Sequence, residues 1–144
     1  MNSETLVYLN GKMVPANEAH IAISDASVVL GATLTDMERT FSKKVFRLDE
    51  HIERFYRSCK YGRIQPPVSK DKTKEIIKEL VEHNSQFLEP HQELGCIQFI
   101  SPGEFKVYAG SAGNPGGMEP TYCIHTFPLP FSFWKHYFHE GAML

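Results

Sequence analysis

Leu48, Ile52, Phe55 and Cys59 are spaced i, i+4, i+7 and i+11. At about 100° per residue this spacing makes one apolar stripe on a helix. The stripe constrains the fold because a partner surface must cover it. Asp49 and Glu50 occupy the first turn, where carboxylates suit the helix dipole. Gly62 marks the end, and Pro66-Pro67 forbid continuation. A second helix is expected from the N-cap Ser69, burying Ile76, Ile77, Leu80 and Val81. Its Lys70, Lys72, Lys74 and Lys78 alternate with Glu75 and Glu79, the pattern of a solvated face.

The partner surface is expected to be a sheet. "TLVYLNGKMVPA" reads as a hairpin, because Asn10-Gly11 tolerates the positive φ of a two-residue turn. In "SDASVVLGATLTDMERTF", Ser24 and Asp25 are capping candidates ahead of a short apolar helix. "RTFSKKVFRL" gives a second hairpin with Ser42 to Lys44 at its turn. "LGCIQFI" and "TYCIHTF" are rich in β-branched and aromatic residues and read as strands. Between them, Gly110 to Pro120 forms a glycine- and proline-rich loop, either a plain surface loop or one over a ligand site. The fold class that follows is α+β: an antiparallel sheet packed with two to three helices.

Composition narrows the function. The chain has 144 residues with 42% hydrophobic and 22% charged, enough for one domain with one core. A net charge of -2 offers no basic face for nucleic acid. No apolar run suits a membrane span and no signal peptide is evident, so a cytoplasmic location is expected. Cys59, Cys96 and Cys123 lack metal or redox spacing and read as small core residues. His136, His139 and Glu140 follow His-x-x-His-Glu, which is not the zinc-protease order, and no third ligand is evident, so no metal is expected. Phe131, Phe133, Trp134, Tyr137 and Phe138 crowd the last segment, which implies that a partner subunit or further chain covers it.

Arg54 is the candidate for function. It falls at the border of the apolar stripe, with His51 and Ser58 between, while Glu53 and Arg57 point to water. An arginine there can form a structural salt bridge, or present a planar guanidinium to a phosphate. Spacing alone leaves both open.

Three stretches together resemble the small N-terminal domain of the class IV aminotransferases, the fold-type-IV pyridoxal phosphate enzymes. They are "VYLNGKMVP", "SDASVVLGATLTDMERTF" and "KVFRLDEHIERFYRSCKYGRI". The most specific part is Phe46-Arg47-Leu48 with Glu50-His51, Arg54 and Ser58, matching a "FRLxEHxxRLxxSA" pattern. The resemblance implies that Arg54 anchors the phosphate of pyridoxal 5'-phosphate. It implies a substrate pocket involving Leu30, Thr35 and Gln98, where Leu30 replaces an aromatic residue, Thr35 and Asp36 replace a Phe-Glu pair on the short helix, and Gln98 and Pro102 stand where various members carry an arginine. It also implies a small domain over residues 1–130, followed at 131–144 by an interdomain linker and the start of a C-terminal domain. The Schiff-base lysine is expected beyond Leu144, so no catalytic residue is assigned and this chain alone is expected to be inactive. The implied activity is amino transfer between an amino acid, most like the branched-chain type, and a 2-oxo acid, in a homodimer. The rival readings are a carbon–oxygen lyase resembling aminodeoxychorismate lyase, and a non-catalytic binding or dimerisation module.

Overall fold

A computed structural model describes residues 4–108, 110 and 119–142. Most of the loop from Gly110 to Pro120 lies outside them. The strands are β1 (Leu6–Leu9), β2 (Lys12–Pro15), β3 (Leu34–Phe41), β4 (Lys44–Val45), β5 (Leu94–Ser101) and β6 (Thr121–Pro128). The helices are the single turn α1 (Ala26–Val29), the long α2 (Leu48–Gly62) and α3 (Lys70–Asn84), and two further single turns, α4 (Phe131–Trp134) and α5 (Tyr137–Glu140). One six-stranded sheet runs β2-β1-β6-β5-β3-β4, with every pair antiparallel. The expected α+β class is the observed one.

The apolar stripes meet as their periods require. Ile52, Phe55 and Cys59 of α2 and Ile76, Ile77, Leu80 and Val81 of α3 are buried against Leu94, Cys96, Ile100, Tyr122 and Ile124 of β5 and β6. Alternation along the strands sends these residues to one face of the sheet. Phe55 stacks on Tyr122, with centroids 5.8 Å apart. Burial of this kind makes truncation of Phe55 to alanine cost about 3–5 kcal/mol. All three cysteines are buried and free. Burial pushes the Cys59 thiol up to about 11 and Cys123 to about 12, so both stay protonated at neutral pH.

One expectation needs correction. Thr35 and Asp36 are not helical: α1 ends at Val29, and both residues lie in β3. The alternation of buried Asp36, Glu38 and Thr40 with outward Thr35, Met37 and Phe41 defines that strand. Its inward set is polar, so no alternation of apolar residues announced it. The end of α2 falls at Gly62 as expected, and the left-handed residue that follows it is Arg63, at φ 54. A Cβ on Gly62 would come within 2.6 Å of Leu34 Cδ1, so a larger residue there would require the Leu34 side chain to shift.

The second hairpin lacks glycine because a carboxylate replaces its function. Ser42 and Lys43 both have positive φ. Glu93 accepts from Ser42 N at 2.7 Å, Lys43 N at 3.1 Å and Thr40 Oγ1 at 2.5 Å. Three bonds to one charged acceptor offset the strain of a turn that L-residues adopt reluctantly. Replacing Glu93 with alanine is expected to lower stability by about 1–3 kcal/mol. A urea midpoint unchanged from wild type would show that the turn does not need its acceptor.

Candidate active site

Asp36 and Glu38 point from β3 toward α2, and one turn of α2 supplies His51 and Arg54 above them. Residues i and i+3 share a helix face, so both α2 side chains reach the same carboxylate. Arg54 Nε donates to Asp36 Oδ2 at 2.6 Å, and Nη2 donates to Oδ1 at 2.8 Å. His51 Nδ1 lies 2.8 Å from the same Oδ1 and 3.2 Å from Arg54 Nη2. The side chain of Asp36 is 3% exposed and that of Arg54 is 55% exposed. The pair therefore runs from the interior outward: a buried carboxylate grips one edge of a guanidinium whose remaining edge meets solvent. Among the described residues, Arg54 Nη1 has no hydrogen-bond partner in the chain.

The electrostatics follow from this geometry. Burial pushes Asp36 up, but the Arg54 and His51 hydrogen bonds and their charges outweigh it and hold Asp36 below the usual carboxylate range. Glu38, two residues along on the same face, has no such partners. Burial first, and the Asp36 charge second, push it up to about 8. Neither of its carboxylate oxygens makes a hydrogen bond.

Asp36, Glu38 and His51 offer ligand atoms within 4.8 Å of one another. The guanidinium already binds both oxygens of Asp36, so a cation added there would face a fixed positive charge. The outward chemistry of the cluster favours an anion. His136, His139 and Glu140 fall at the start and end of α5, and all three are exposed.

The other expected site residues do not gather in one pocket. Leu30 caps the C-terminus of α1 and is 57% exposed. Thr35 is exposed on the sheet face away from the helices. Gln98, the register partner of Asp36, is fully buried on the opposite face and accepts from Tyr122 Oη at 3.3 Å. Gln98 ends a buried polar chain in which Tyr122 Oη lies 3.4 Å from Thr73 Oγ1, itself 2.9 Å from Tyr56 Oη.

Asp25 does more than cap α1. Fully buried, it accepts from Ser27 N at 2.8 Å, Ser101 Oγ at 2.7 Å and Thr121 Oγ1 at 2.5 Å. It thereby fastens the α1 turn, which leads into Leu30, to the ends of β5 and β6. The Ser-Asp dipeptide signals the cap, but partners 76 and 96 residues away leave no local trace.

Comparison with known proteins agrees with this frame. Residues 33–132 match the amino-transferase class IV family. A D-alanine aminotransferase from Staphylococcus haemolyticus is 28% identical over 81 residues, covering 56% of this chain and 29% of that protein. The branched-chain amino acid aminotransferase of Escherichia coli superposes with a TM-score of 0.72 at 23% identity, covering 88% of this chain and 40% of that one. A hypothetical aminotransferase from Mycobacterium tuberculosis in its PLP-bound form gives 0.71 at 14% identity, covering 88% and 40%. The chain belongs to the class IV amino-transferases. It spans less than half the length of these relatives.

The two carboxylates give stability opposite dependences on pH. Asp36, lowered by its partners, contributes stability above its unfolded value that is lost as pH falls through the folded one. Glu38, raised from 4.5 to about 8, holds its proton more tightly when folded, so stability declines as pH rises across that window. Glu38→Gln is expected to flatten the decline and to be more stable than wild type at pH 8, by roughly 2–4 kcal/mol. Parallel denaturation curves at acid and alkaline pH check this, and an unchanged wild-type slope in the variant would refute it.

Proposed function

We propose that this chain supplies the phosphate-holding small domain of a pyridoxal-phosphate-dependent aminotransferase, with Arg54 as the anchor. The observation that carries the reading is the half-exposed guanidinium clamped along one edge by buried Asp36. An unsupported arginine would lose rotamer entropy on gripping a ligand, whereas this one is already oriented. Its free edge and its charge suit a phosphate, so the donor set fits the cofactor. The class IV family match and the PLP-bound structural relative support that choice of group.

Within this reading each residue has a separate task. Arg54 binds the phosphate and keeps its charge at any working pH. Asp36 fixes the plane of the guanidinium, and His51 holds Oδ1 of Asp36. Leu30, at the exposed end of α1, and Thr35, on the open sheet face, would border the substrate, with Asp25 setting the α1 turn. Buried Gln98 would act from behind the sheet through the interior rather than by contact. When bound, the cofactor supplies the electron sink through which an amino group leaves an amino acid and is passed to a 2-oxo acid.

The donor amino acid is branched-chain or D-alanine on the strength of the relatives' names. The protein works as a homodimer, and the exposed Val28, Leu30, Met37 and Phe41 are apolar surface that such an assembly would cover.

Pyridoxamine 5'-phosphate tests the anchor, since it carries the phosphate yet cannot condense with surface lysines. Arg54→Ala is expected to weaken its binding about 10- to 100-fold by calorimetry, the value of a charge-assisted pair. Arg54→Lys should recover only part of the loss, because an ammonium lacks the planar fork that binds Asp36 along one edge and leaves a second edge for the phosphate. Equal affinity in Arg54→Ala and wild type would leave Arg54 as a structural ion pair only.

A further inference from the structure

Glu38 is the group of this cluster that the hydrogen-bond network leaves out. It is 2% exposed, and neither oxygen has a partner. The titratable and polar groups facing it are Asp36 on its own strand, His51 and Arg54 on α2, Cys96 and Gln98 on β5, and Tyr122 on β6. Gln98 Nε2, a donor beside it, is also unpartnered and fully buried. Cys96 is its register partner across β3 and β5. An ionised carboxylate here would be desolvated and next to a second carboxylate, two costs that outweigh the help of nearby Cys96, Gln98 and Arg54 and that a bound proton removes.

We propose that Glu38 is a proton-bearing positioning residue of the anion site: in its neutral form it leaves Asp36 as the single charge opposing Arg54, and its ionisation loosens the hold of Arg54 on a phosphate monoester. This rests on the reading of Arg54 as the phosphate anchor. The charge balance shows why. With Glu38 neutral, Asp36 and Arg54 sum to zero, and the outer edge of the guanidinium meets the phosphate unopposed. With Glu38 ionised, the pair of carboxylates leaves a net negative charge behind Arg54, which repels a dianionic phosphate through a poorly screening interior. The proton passes to solvent, which reaches the cluster at His51, a side chain 20% exposed with a ring nitrogen within 4.8 Å of the Glu38 carboxylate. Binding and protonation are then linked reciprocally: what ionisation does to phosphate affinity, phosphate does to the acidity of Glu38.

The test is calorimetric binding of pyridoxamine 5'-phosphate to wild type, Glu38→Gln and Arg54→Ala from about pH 6.5 to about pH 9.5, bracketing the titration of Glu38. The ratio of wild-type to Glu38→Gln affinity cancels titration of the ligand itself. That ratio is expected to sit near one at the acid end and to fall about tenfold at the alkaline end. An affinity unaffected in Arg54→Ala sinks the anchor reading. Loss in Arg54→Ala with a flat ratio sinks the role of Glu38 while leaving the anchor standing.

Carbon-13 NMR of the Glu38 carboxyl in wild type gives a readout that needs no variant to fold. Its midpoint is expected near 8 in the free chain. It should move up by about one pH unit when the chain is saturated with pyridoxamine 5'-phosphate, the linked counterpart of tenfold. A midpoint in the ordinary carboxylate range, or one that ligand does not move, overturns the proposal.

Discussion

The carboxylate of Asp36 is the joint on which this structure turns. It sits on β3, next to the sheet edge, and binds the guanidinium and imidazole presented by one turn of α2. A buried, unpaired carboxylate would be costly, so Asp36 is tolerable only with α2 docked at this height and rotation. The same constraint orients Arg54. The helix is seated by its apolar stripe, and Asp36 converts that seating into a fixed direction for one cation. Stability and site geometry are therefore carried by the same contact.

The interior behind this joint is unusually polar. Glu38, Gln98, Thr73 and Tyr122 lie between sheet and helices, all but fully buried. The hydroxyl chain from Tyr56 through Thr73 and Tyr122 to Gln98 satisfies most of these groups and ties α2, α3, β5 and β6 together. At its end, where Gln98 meets Glu38, polar atoms of both side chains remain without partners among the described residues. A core that keeps such groups carries a stability cost that a leucine or valine at position 38 would avoid. That cost falls beside the guanidinium, where the charge state of one side chain can be felt at the surface.

Asp25 performs the corresponding service at the other end of the sheet. Its bonds to Ser27, Ser101 and Thr121 join the α1 turn to two strands that are remote in sequence. Hydrogen bonds from these hydroxyls offset its burial and keep it ionised, with its acidity strengthened rather than weakened. Both aspartates follow one physical rule: a buried charge is retained where enough donors converge on it, and the converging donors come from different elements. Each thus acts as a clasp between segments.

Periodicity and turn chemistry in the sequence determined most of the framework. The stripe from Leu48 to Cys59, the Ser69 cap, the Asn10-Gly11 turn and the two late strands are local patterns, and local patterns report local conformation. The border position of Arg54 and the motif around it also pointed to the proposed phosphate anchor. What the sequence could not decide was which groups meet. Strand β3 was misread at Thr35 and Asp36 because its inward face carries Asp36, Glu38 and Thr40 in place of apolar residues. Only the paired register of β3 with β5 sends Thr35 and Gln98 to opposite faces and brings Glu38 against Cys96. The salt bridge and the phosphate anchor, which spacing left as rivals, become compatible once Asp36 is seen to occupy one edge of Arg54 and leave the other to solvent. Pairing across the sheet and docking of α2 are long-range events, and no run of neighbouring residues encodes where their side chains finally touch.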